Sequence, residues 1–149
     1  MTDTNTSMYR SEVIEKAINI EWIINSIISQ HYFNRVDMKF LLDFLYDEYC
    51  SFALKRRVLL KIVNDFDPKM ESHLNRLMNI RNYFAHCNQE IFDAGETLTQ
   101  ESKGKILDPK KPEREIDFEK LHKEFISIET LVSKYLFEIY QRKGGQFDK

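Results

Sequence analysis

Ser11–Phe33, SEVIEKAINIEWIINSIISQHYF, is the stretch that decides the fold class. Ile14, Ala17, Ile20, Ile24, Ile27 and Ile28 recur at the spacing of an α-helix rather than the alternation of a strand. Ser11 is placed to cap that helix by accepting from a backbone N–H of its first turn. Ile18, Trp22 and Ile23 fall outside the stripe, so the helix is apolar around most of its circumference. Such a helix has to be covered on more than one side, by a bundle interior or by a second copy of the chain.

Working outward, two further apolar-rich segments follow, residues 36–49 (VDMKFLLDFLYDEY) and 51–66 (SFALKRRVLLKIVNDF), with a break expected near Cys50 and Ser51. Asp67–Pro68 punctuates the chain, and Pro68 suits the first turn of the next helix because its missing N–H would have no partner there. That helix carries Met70, Leu74, Leu77, Ile80 and Phe84 at separations of three and four and runs to about His86. Residues 93–115 are polar, hold Gly95, Gly104, Pro109 and Pro112, and show no periodicity; they read as a polar loop. From Asp117, an N-cap candidate, a last helix carries Leu121, Phe125, Ile128, Val132, Tyr135 and Ile139 to about Arg142, where Gly144–Gly145 stops it. With four Gly and three Pro in 149 residues, long helices are favoured over a turn-rich β fold. The expectation is one all-α domain spanning 1–149, a four- to five-helix up-and-down bundle with a polar loop at about 93–115.

The formal net charge of −2 excludes a polycation that holds nucleic acid by bulk electrostatics; any such site has to be a local patch. Lys55, Arg56 and Arg57 form the basic cluster that could contact an RNA backbone. Cys50 and Cys87 stand alone, with no CxxC pair, which points to a reduced, cytoplasmic protein. No signal peptide or membrane-spanning stretch is read, and no spacing supports a metal site or a cofactor.

The chemistry concentrates in Asn79–Cys87, NIRNYFAHC. With Leu77 at the centre of the buried face, Arg81 lies ~40° away, inside the apolar arc of its helix. A guanidinium aimed into an apolar face is unfavourable unless it is paired or lines a site. Glu21, ~60° from Ile24, is the same anomaly on the first helix. His86 is ~140° round from Arg81, so the two converge on one group only if the helix ends near His86 or a second protomer completes the site.

The hexapeptide Arg81–His86, RNYFAH, resembles the Arg-x4-His signature of the HEPN superfamily, in which a polar residue, often Asn, follows the Arg. The wider pattern over about residues 11–140 is similar to uncharacterised HEPN-like families and, more distantly, to the mannitol-repressor family. The resemblance implies a metal-independent endoribonuclease, in a toxin–antitoxin or defence setting. His86 would transfer protons between the attacking 2′-hydroxyl and the leaving 5′-oxygen, and Arg81 would stabilise charge on the scissile phosphate. Asn82 would orient the site, and Glu21 would hold Arg81 or His86. It also implies a homodimer with the two motifs facing each other, and a protein antitoxin or regulator as partner. One departure is Asn88, where a subgroup paired with nucleotidyltransferase antitoxins has Tyr two residues after the His. A different class remains open, a non-catalytic interaction or regulatory module on the same bundle. His73 reads as a core residue; His31 and His122 carry no partner signal.

Overall fold

The helices begin and end where short polar side chains satisfy their free backbone groups. The computed structural model describes residues 2–86, 105–108 and 111–145, with side chains described over 6–85 and 117–145. The architecture is an all-α helical bundle. Helix α1 spans Thr2–Phe33, α2 spans Met38–Phe40 and runs into a π-helical turn at Leu41–Leu45, α3 spans Phe52–Ile62, α4 Pro68–His86 and α5 Phe118–Arg142. Asp37 caps α2 by accepting from the Phe40 amide at 2.9 Å, and Ser51 caps α3 by accepting from the Leu54 amide at 3.2 Å. Asp117 does the same for α5, accepting from the Lys120 amide at 3.2 Å. At the far ends, Asn34 follows α1 with φ 58° and Gly144 follows α5 with φ 91°, both in the left-handed region that suits Asn and Gly.

Helix α1 starts nine residues before the expected cap, so Ser11 lies inside it. The extension is carried by tertiary contacts that apolar periodicity does not register: Thr6 is buried, and the Tyr9 ring stacks on His122 at 4.3 Å. The segment read as a polar loop contains a β-ribbon, β1 (Lys105–Asp108) antiparallel to β2 (Lys111–Asp117), with Ile106 opposite Ile116 and a register shift after Leu107. Its runs are too short and too charged to stand out as strands, and Pro112 is tolerated because both strands of a two-stranded ribbon are edges. Residues 87–104 and 109–110, most of the expected loop and Cys87 among them, lie outside the described residues.

The chain divides into two compact units, and α1, α4 and α5 each contribute to both. One comprises Met1–Ala17 and Asn75–Glu129. Its core is Val13 and Ala17 from α1, Leu77, Ile80 and Phe84 from α4, and Phe118 and Phe125 from α5, all 4% exposed or less. The other comprises Ile18–Leu74 and Thr130–Lys149. There α1 is buried on every side from Ile23 to Gln30, as its all-round apolarity demands, whereas Ile18 and Trp22 remain 56% and 40% exposed. Among the described residues no helix is long and apolar enough to cross a membrane.

Within that second unit Asn25 is fully buried, and neither its amide nitrogen nor its carbonyl oxygen has a hydrogen-bond partner among the described residues. An unsatisfied buried polar group is destabilising, whereas an apolar group of similar shape is not. Asn25→Leu is therefore expected to raise unfolding stability by about 1–2 kcal/mol. A urea midpoint that falls instead would show that the carboxamide is hydrogen-bonded in solution.

Candidate functional site

Arg81 and Asn82 sit on α4, and packing holds this stretch of the helix in place. Leu77, Ile80 and Phe84 are fully buried, and the Phe84 ring meets Phe118 of α5 at 5.0 Å. One turn earlier, Arg76 grips Glu124 of α5 through Nε at 2.8 Å and Nη2 at 3.3 Å. Between these two contacts Arg81 is half-buried, with its Nη1 donating to Oδ1 of Asn82 at 2.9 Å.

Arg35, Arg56, Arg76 and Arg142 each face a carboxylate, on Asp37, Glu71, Glu124 and Asp65. Arg81 has none among the described residues. Its guanidinium is oriented by a neutral amide oxygen, with donors left for a further acceptor. Helix α4 is described as far as His86. The side chain of His86 lies outside the described residues.

Oε1 of Glu21 accepts from Nζ of Lys55 at 2.7 Å, both in the unit formed by Ile18–Leu74 and Thr130–Lys149. Lys55 is correspondingly not a solvated contact for RNA. Its side chain is 2% exposed, and its ammonium also lies 5.5 Å from the Tyr46 ring centroid. Arg56 is half-buried against Glu71 at 3.3 Å, leaving Arg57 as the exposed member of the expected basic cluster. Sequence spacing missed the Glu21–Lys55 pair because its members are 34 residues apart; an inward Glu was the available signal, and its partner came from another helix.

Two histidines without a partner signal also acquire partners. His122 Nε2 lies 2.9 Å from Oε2 of Glu12 while its ring stacks on Tyr9, which makes it a clasp between α1 and α5. His31 Nδ1 lies 2.9 Å from Nζ of Lys143; desolvation, and then the lysine's charge, hold its pKa below the ordinary imidazole value. His73 is half-buried on α4. Burial pushes the Cys50 thiol up, with Lys55 opposing the shift and Glu21 and Asp47 adding to it. No group of three or more His, Cys, Asp and Glu among the described residues could hold a metal ion. No protein-family model, curated protein or solved structure matches the chain.

Proposed function

We propose that the chain is a metal-independent endoribonuclease of the HEPN type, acting as a homodimer within a toxin–antitoxin or defence system. The observation that carries this reading is Arg81: half-buried, oriented by Asn82, and free of any carboxylate among the described residues. A guanidinium prepared in that way suits a phosphate, because its planar fork offers two parallel donors to two oxygens.

In the reaction the 2′-oxygen attacks the neighbouring phosphorus and the bond from phosphorus to the 5′-oxygen breaks. His86 accepts the 2′-hydroxyl proton, and a protonated imidazole returns one to the departing 5′-oxygen. Arg81 stabilises the charge gathering on the non-bridging oxygens, and Asn82 keeps the guanidinium in register. The products are a 2′,3′-cyclic phosphate and a 5′-hydroxyl. No redox partner or metal enters that balance.

The test is cleavage of mixed RNA in EDTA, with wild type beside Arg81→Ala and His86→Ala at matched circular dichroism. Wild type is expected to yield cyclic phosphate ends, and each substitution to slow cleavage by roughly a hundredfold or more. Asn82→Ala, which leaves the charge in place, is expected to slow it less. Intact RNA in every lane would overturn the nuclease and favour a non-catalytic interaction or regulatory module. A monomer at micromolar concentration by light scattering would remove the shared site.

A further inference from the structure

Within the unit formed by Ile18–Leu74 and Thr130–Lys149, Lys143 ties the turn that ends α5 to two other helices. Its Nζ lies 2.9 Å from Nδ1 of His31, in the last turn of α1, and donates to the carbonyl of Ile62, the final residue of α3, at 3.3 Å. The backbone beside it closes α5. The amides of Lys143, Gly144 and Gly145 donate to the carbonyls of Ile139, Gln141 and Tyr140 at 3.1, 3.0 and 3.0 Å.

Only one protonation state of His31 permits this junction. An ammonium has donors and no acceptor, so Nδ1 has to supply the lone pair and the ring proton sits on Nε2. A proton added at Nδ1 removes that lone pair and sets two cations 2.9 Å apart. Repulsion between unit charges at such a separation, screened as in water, shifts an equilibrium by about tenfold. The charged groups on the elements that meet here are Arg35 after α1, Lys61 beside Ile62, Asp65 on the turn after α3, and Glu138 and Arg142 on α5. Arg35 is held by Asp37 and Arg142 by Asp65, each at 2.9 Å. None of them rescues the junction: desolvation and then the charge of Lys143 both oppose a proton on His31, and no carboxylate favours one. The Tyr32 ring, 4.8 Å from the imidazole and at 89° to it, stays available to an imidazolium.

We propose that His31 and Lys143 form a proton-operated latch. With a neutral imidazole, Lys143 pins the end of α5 to α1 and α3; when His31 takes up a proton the latch opens and that turn is freed. Because the latched state holds His31 below the ordinary imidazole value, the latch is complete above that value and is lost as the pH falls through the lowered one. The latch stands apart from RNA cleavage, since it uses none of Arg81, Asn82 and His86.

The test is hydrogen exchange by NMR on the full chain from about pH 8 to about pH 5, corrected for the intrinsic rates, with the His31 ring titrated in the same samples. Protection of the Gly144 and Gly145 amides is expected to fall by at least about tenfold over that range, following the His31 titration, while Val132 and Leu136 in the core of α5 keep theirs. His31→Gln, whose carboxamide oxygen can accept from Lys143 but takes no proton, is expected to stay protected throughout. His31→Arg, a permanent cation, is expected to be open already at about pH 8. Lys143→Met is expected to bring the His31 titration up towards its ordinary value. Glycine amides unprotected at about pH 8, or protection that is flat with pH, would overturn the latch. So would a pH response that survives His31→Gln, or a His31→Arg variant that stays protected.

Discussion

Glu21→Ala is expected to destabilise the protein by about 3 kcal/mol, while Lys55→Met at the other end of the same ion pair is expected to be near neutral or stabilising. The asymmetry follows from burial. Lys55 is 2% exposed, so removing Glu21 leaves an ammonium with no carboxylate and little water, whereas Glu21 is 28% exposed and can be solvated when Lys55 is gone. Met keeps the unbranched stem that packs beside Tyr46 while discarding the charge. Glu21→Gln should fall between, because its carboxamide oxygen can still accept from Nζ. Urea unfolding of the three variants and of the Glu21→Ala/Lys55→Met double decides the matter. If Lys55→Met proves as damaging as Glu21→Ala, the pair contributes net stability and desolvation is not the controlling cost. Because Lys55 is buried, Lys55→Met is also expected to leave any RNA cleavage unchanged.

Phe84→Ala carries the other large effect, a loss of about 3–5 kcal/mol. The ring is fully buried and packs, tilted by 60°, on the Phe118 ring at 5.0 Å. The consequence reaches chemistry as well as stability. Phe84 lies between Arg81 and His86 in α4, and its ring packs that stretch against Phe118 of α5. Cleavage by Phe84→Ala should therefore fall at temperatures where the variant is still folded, whereas Phe84→Leu, which fills most of the space, should recover both folding and activity. Thermal unfolding followed by circular dichroism, paired with the RNA assay in EDTA, separates the two. Full activity from a folded Phe84→Ala would mean that Arg81 and His86 need no support from this contact.

The all-α class and the helices near 11–33, 52–62, 68–86 and 118–142 were legible in the chain because local physics writes them there. Apolar residues recur every three or four positions, and Asp117 and Gly144 are the residue types that satisfy helix ends. Arg81 and Glu21 read as polar residues in an apolar arc, and both are half-buried. Their partners were not legible. Periodicity locates a face of a helix but says nothing about what stands opposite, and Lys55, which reads as part of a solvated basic cluster, became the buried partner of Glu21 only when α3 packed beside α1. The first turns of α1 and the Tyr9–His122–Glu12 clasp share that cause, since each is held by contacts between segments distant in sequence. A sequence specifies the helices by short-range repetition; which of its charges are buried, paired or left free is decided by packing, because burial and Coulomb energy depend on distances that exist only once the chain has folded.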